Sequence, residues 1–175
     1  MGGELDLGME YNTPTVGLFF WSADYIEFLR NLKYYLTEAK LEFVDHSKFD
    51  QGNQMREEKT KKGEWYPIAL LGGKVEVVFL HYHSEEEAKE KWYRRTARIN
   101  WDNLFIIGME QNLCSIDDIK AFDELPYKKK IFFSTKDIPN VTSNYRIKEF
   151  DVEIGNAFEY AHLFYKGIVD SFNCS

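Results

Sequence analysis

The chain has 175 residues, of which 44% are hydrophobic, 17% aromatic and 29% charged, and its formal net charge is −7. That length and apolar content fit one ordinary domain that folds without metal or disulfide, and they exclude a chain that is disordered throughout. The acidic balance speaks against nucleic acid and anionic lipid as partners, since both are held through basic contacts.

No apolar run approaches the ~20 residues that a membrane span requires. Met1-Gly2-Gly3-Glu4 has neither the basic nor the apolar region of a signal peptide. Cys114 and Cys174 lack metal-type spacing. The expectation is a cytoplasmic protein with two free thiols, not membrane-spanning and of undetermined oligomeric state.

In chain order, Pro14 precedes the apolar run Thr15–Phe20, which reads as a buried strand. Ser22 offers a cap, Asp24 lies in the first turn, and Tyr25, Phe28, Leu29, Leu32 and Leu36 repeat at helical spacing, predicting a helix over roughly 23–39. Leu41–Val44 reads as a short strand. From His46 to Glu64 the chain turns polar and glycine-containing, which predicts a mobile surface loop.

Pro67–Leu71 and Val75–Leu80 flank Gly72-Gly73, a two-residue hairpin signal. Ser84 and Glu87 have the spacing of a capping box. The helix they open carries Glu85–Glu87 at its positive end and Arg94, Arg95 and Arg98 at its negative end. Leu104–Ile107 reads as a strand ending at Gly108. Ser115 and Asp118 cap a helix to about Leu125, Lys130–Phe133 is another strand, and a weaker one falls near Tyr145–Ile147. A last helix is expected over about 156–171. This order predicts a single α/β domain over 1–175, built on a mostly parallel sheet with one hairpin and helices covering the sheet.

Ligands of open parallel sheets collect beyond the carboxyl ends of the strands. Four exits are polar: Trp21–Asp24, His81–Ser84, Glu110–Asn112 and Ser134–Asp137. Ser22, Asp24, Glu110 and Lys136 are therefore substrate-binding candidates, although Ser, Asp and Asn are equally common as helix caps. His81 and His83 alternate, so on a strand both rings face one side. That spacing suits a metal with Glu110 as third ligand, an acid/base His81, or plain packing.

Arg94, Arg95 and Arg98 have the chemistry to hold a sugar phosphate, or simply complete the helix dipole. Asn100, Asp102 and Asn103, around Trp101, suggest a structured polar turn with a secondary binding role. No dinucleotide turn, phosphate-cradling loop, nucleophile elbow or Asp-x-Asp is present, so the sequence names no cofactor.

Tyr11–Phe19, Asp24-Tyr25, Tyr34–Leu36 and Tyr66–Ile68 resemble the bacterial domain-of-unknown-function family numbered 1919. The most specific likeness is His81-Tyr82, Ser84-Glu85, Glu87-Ala88, Lys91-Trp92, Arg94-Arg95 and Arg98–Leu104, and the whole covers roughly residues 5–135. The resemblance implies a role in exopolysaccharide or capsule biosynthesis. With the polar exits, it leads to an expected transferase acting on an activated or lipid-linked sugar. A non-catalytic partner or regulator of the same pathway, or a small metal-dependent hydrolase using His81 and His83, are the alternatives. Members of that family usually begin earlier, with a strand and an Asn-Cys turn ahead of the glycines standing here as Gly2-Gly3, so an N-terminally truncated start is expected.

Overall fold

The computed structural model describes residues 13–148. In chain order the elements are α1 (Ser22–Arg30), α2 (Leu32–Thr37), β1 (Leu41–Val44), α3 (Asp50–Lys61), β2 (Ile68–Leu71), β3 (Val75–Val78), α4 (Glu85–Thr96), β4 (Ile106–Met109), α5 (Ile116–Asp123), β5 (Lys130–Ser134) and β6 (Asn144–Arg146). The helix expected over 156–171 lies outside the described residues. Two compact units divide the chain: unit 1 is Met1–Phe19 with Lys33–Trp101, and unit 2 is Phe20–Leu32 with Asp102–Ser175. Among the described residues no helix is long and apolar enough to cross a membrane.

Unit 1 holds the antiparallel sheet β1-β2-β3. Val44, the last residue of β1, pairs with Ile68, the first of β2. The chain therefore re-enters the sheet at the end where it left, and α3 is an excursion rather than a crossover. Unit 2 holds the parallel sheet β4-β5-β6, in which α5 supplies the crossover between β4 and β5. Among the described residues the fold is mixed α/β with one antiparallel and one parallel sheet, in place of the mostly parallel sheet expected.

Local chemistry explains the other departures. Thr15–Leu18 form a turn, with Leu18 N donating to Thr15 O at 3.2 Å and Gly17 at φ +72. The expected strand over Thr15–Phe20 is reduced to one antiparallel bridge, Phe19 to Val78. The helix expected over 23–39 breaks at Asn31, whose φ −124, ψ 36 is not helical. The hairpin closes through three residues, because Leu71 pairs with Val75, and Gly72 and Gly73 take φ +56 and +68.

Residues 46–64, expected as a mobile loop, contain α3. This helix has no apolar stripe and is fixed at its ends instead. Buried Glu76 on β3 accepts from Ser47 Oγ at 2.6 Å and Lys48 N at 2.7 Å, anchoring the approach to the helix. At its far end Gly63 N donates to Thr60 O and Glu64 N to Lys59 O, with Gly63 at φ +73, the bond pair of a Schellman stop.

The unit 1 core is aromatic as well as aliphatic. Phe79 meets Tyr82 edge-on at 5.3 Å and Trp92 of α4 at 6.4 Å, both close to perpendicular. Ser84 caps α4, accepting from Glu87 N at 3.1 Å. The Glu87 carboxylate reaches past Ser84 to accept from His83 N at 2.8 Å, so the box is closed one residue early.

In unit 2, Ile131, Phe133 and Ile147 pack with Phe105, Met109 and Tyr145. Phe122 of α5 meets Phe132 of β5 at 5.1 Å, edge-on. Gly108 on β4 makes room for both, since a Cβ there would lie 2.2 Å from Phe132 Cδ2 and 2.9 Å from Phe122 Cε2. Tyr25 of α1 donates its hydroxyl to Ile107 O at 2.7 Å, and Tyr127 donates to Leu29 O at 2.5 Å, tying α1 to this sheet.

Candidate functional site

Three of the four polar exits meet in unit 2, at the carboxyl end of its parallel strands. Glu110 directly follows β4 and is only 5% exposed. Its backbone N–H donates to Phe133 O at 2.8 Å, which extends the β4–β5 ladder by one bond and aims the side chain across the sheet end. One carboxylate oxygen accepts from Thr135 N at 2.8 Å and Thr135 Oγ1 at 2.9 Å, and the other pairs with the Lys136 ammonium.

The turn that presents those donors is itself stapled. Buried Ser134 accepts from Lys136 N at 3.1 Å and donates to Asn144 Oδ1 at 2.7 Å, while Asn144 Nδ2 donates to Lys136 O at 2.8 Å. Burial alone would raise the Glu110 pKa. The bonds from Lys136 and Thr135 outweigh it and hold the carboxyl below its ordinary value, so Glu110 is ionised. A carboxylate so fully engaged is a fixed counter-ion rather than a free base. Its partner Lys136 keeps 36% of its side chain exposed and presents a positive charge at the sheet edge.

The β4–α5 turn brings a thiol to the same place. Leu113 sits at φ +61, Cys114 N donates to Gln111 O at 2.9 Å, and Ser115 with Asp118 closes a full capping box on α5. The Cys114 thiol donates to Ser115 O at 3.7 Å, and the Ser22 hydroxyl at the start of α1 is close enough to act on it. Burial raises the thiol pKa against the opposing influence of Ser22, and the charges of Asp118, Glu110 and Lys136 are also close enough to act on it. Cys114 therefore carries its proton at neutral pH. Asp24, in the first turn of α1, is also buried. The groups that meet here are an ammonium paired with a buried carboxylate, a hydroxyl and a protonated thiol, a set of donors and acceptors able to orient a polar ligand at the end of a sheet.

Of the residues expected from sequence, Ser22, Asp24, Glu110 and Lys136 thus share this unit. Ser134, Thr135, Asn144 and Cys114, which hold them in place, were not among the candidates. The Ser-Thr-Lys run at a strand exit was the signal for the first two, whereas Asn144 and Cys114 are joined to the site only by the fold.

The fourth exit lies in unit 1. His81 and His83 are not on a strand, because β3 ends at Val78 and the chain turns, with Tyr82 N donating to Phe79 O at 3.3 Å. Both are exposed on either side of buried Tyr82. Tyr82 is clamped: its hydroxyl donates to Val16 O at 2.9 Å and accepts from Arg95 at 2.7 Å. His81 and His83 line an open recess of ≈ 500 Å³ with Gly63, Glu64, Trp65 and Tyr82. Among the described residues no three His, Cys, Asp or Glu side chains form a group able to hold a metal. Glu110, the suggested third ligand, belongs to unit 2 and spends its carboxylate on Thr135 and Lys136.

The basic end of α4 is divided in its duties. Arg94 is exposed and pairs with Glu90 at 3.2 Å, Arg95 turns inward onto Tyr82 and Val16 O, and Arg98 is half-buried. Asn100 and Asp102 are exposed, and Asn103 Oδ1 accepts from Lys129 Nζ at 2.7 Å within a 3-10 turn over Trp101–Asn103.

Comparison with known proteins places this chain in a family. A protein of Haemophilus influenzae described as uncharacterized is 36% identical over 170 residues, which span 96% of this chain and 74% of that protein. The family model described as "Domain of unknown function (DUF1919)" matches residues 3–174, well past the 5–135 stretch that carries the motif likeness. The chain belongs to the DUF1919 family.

Proposed function

We propose that the protein is a transferase of cell-surface polysaccharide biosynthesis, and that unit 2 receives an activated sugar at the carboxyl edge of its parallel sheet. One observation carries the reading: the exits after β4 and β5 and the start of α1 converge there around Lys136, whose ammonium is fixed by buried Glu110. A lysine held this way is a point charge suited to a sugar phosphate or diphosphate. The motif likeness described above supplies the pathway.

Titrating the protein by calorimetry with UDP-glucose, UDP-N-acetylglucosamine and inorganic diphosphate tests the reading. The expected result is saturable binding of a nucleotide sugar that weakens about tenfold in Lys136→Met, the loss of a charge-assisted contact of roughly 1.5 kcal/mol. Absence of binding by any of the three, with normal folding, would favour a non-catalytic partner in the pathway instead.

A further inference from the structure

We infer that the recess of unit 1 formed by the end of α3 and the turn after β3 is a saccharide-binding subsite. Its wall carries an indole, two imidazoles, a phenol ring and a carboxylate, from Trp65, His81, His83, Tyr82 and Glu64. A pyranose needs that mixture. Its C–H face packs on an aromatic plane, while its hydroxyls need groups that both donate and accept, as a neutral imidazole does and a carboxylate half does.

Trp65 leaves 45% of its surface exposed, so its ring face is open to a ligand in the recess. The ring is not left loose. The Arg56 guanidinium lies 6.0 Å from its centroid and is anchored in turn by a bond to Asp45 O at 2.7 Å. Glu64 is tied to Lys59, and that bond lowers its pKa, so it is an ionised acceptor.

The opposite wall is equally fixed. Clamped Tyr82 separates the two histidines, and the turn at Gly17 backs His81, whose Cβ and Cδ2 lie 3.6 Å from where a Gly17 Cβ would stand. The recess is thus preformed, and its ≈ 500 Å³ lies within the ~300–1,000 Å³ usual for small-molecule sites.

The lining also argues against other ligands. It includes no lysine or arginine, and the cations beside it are already engaged, Lys59 with Glu64 and Arg56 with Asp45 O, which leaves a phosphate poorly served. Glu64, His81 and His83 do not form a metal-holding group. An open wall that is polar and apolar in near-equal measure, with Leu80 beside the indole and the phenol, suits an amphipathic ring better than a wholly apolar acyl chain. A hydroxylated, neutral or weakly charged ring remains. The inference goes beyond the transferase reading and does not depend on it, because binding here needs no chemistry in unit 2.

The test is calorimetry of the full chain with maltotetraose, chitotetraose and a glucuronate-containing tetrasaccharide, with inorganic phosphate as control. At least one tetrasaccharide should bind saturably. Trp65→Ala should weaken it about tenfold or more, the usual size of a tryptophan contact at a binding centre, and Trp65→Phe should restore part of the loss. His83→Ala should weaken it several-fold, and the melting temperature of each variant should move by less than about 2 °C. The inference is overturned if no tetrasaccharide saturates at millimolar concentration, if Trp65→Ala binds like the parent, or if phosphate alone competes. Nucleotide-sugar binding that survives Trp65→Ala would leave the unit 2 reading standing whichever way this result falls.

Discussion

Each sheet of this protein buries a glutamate, and the two are put to opposite uses. Glu76 lies in the middle of β3 with 0% exposure, and its oxygens take up Ser47 and Lys48 from the approach to α3. Glu110 lies one residue past β4, and its oxygens take up Thr135 and a lysine that still reaches solvent. A carboxylate buried mid-strand organises the neighbouring chain and is then spent. A carboxylate buried at the carboxyl end of a parallel strand holds a cation where a ligand can reach it. The antiparallel unit therefore uses its charge for architecture, and the parallel unit uses its charge to furnish an edge.

The packing of the two sheets differs as sharply as their charges, and glycine substitution shows it with the largest effect. Gly108→Ala forces a Cβ to within 2.2 Å of the Phe132 ring and should cost about 3 kcal/mol, the upper end of overpacking. Gly73→Ala in the hairpin of the other unit meets nothing within 4 Å and carries only the strain of φ +68, about 1 kcal/mol. Urea denaturation of both variants checks the order. Equal losses would mean that the Phe122–Phe132 pair can shift aside.

Next in size are the carboxylates themselves. Glu76→Gln should cost about 2 kcal/mol at neutral pH, since a charge-assisted bond is weakened where water cannot substitute. Glu110→Gln should cost nearer 1 kcal/mol, because Lys136 can turn to solvent.

Glu110 also carries a pH dependence. Glu110 has a folded-state pKa below its unfolded value, so its stabilisation is complete above the ordinary carboxylate pKa and is lost as pH falls through the folded value. Asp123 of α5 behaves alike: bonds from Ser143 and Thr142 outweigh the burial that opposes them. Stability of the parent should fall below the ordinary carboxylate range, and the fall should be shallower in Glu110→Gln. An identical acid limb in parent and variant would remove the Glu110 pair from the account.

How much of this could be read from sequence follows from what is local. The caps at Ser84 and Ser115, the Gly72-Gly73 reversal and the short strands at Leu41, Ile106 and Lys130 are written in neighbouring residues, and they stand within a residue or two of expectation. The division into two sheets was not legible. It depends on Val44 meeting Ile68, a pairing that no short window of sequence contains. Helix α3 was missed because it lacks an apolar stripe, although Asp50 at its start and Gly63 just past its end are the ordinary punctuation of a helix.

The candidate site is legible as a set of strand exits, which points to Glu110, Lys136 and Ser22. Cys114 is not legible there, because only the fold brings it near Ser22. In sequence the histidine exit looks like part of the same edge, yet it follows an antiparallel strand and lines a recess of unit 1.

The smallest structural effect is expected at that exit. His81→Ala removes an exposed ring and should change stability by no more than about 0.5 kcal/mol. Polysaccharide production in a strain carrying only this variant should nevertheless fall, since the imidazole lines the recess and can hydrogen-bond a ligand there. Normal production would take His81 out of the functional set.

The central claim is that ligand binding in unit 2 belongs to the carboxyl edge of its parallel sheet. Amide chemical-shift mapping on ¹⁵N-labelled protein titrated with UDP-glucose addresses it most directly. The account predicts saturable shifts at Glu110, Cys114, Ser115, Thr135 and Lys136, abolished by Lys136→Met while the rest of the spectrum is kept. Shifts that leave these amides unmoved and fall elsewhere, or no shifts at saturating nucleotide sugar, would contradict it.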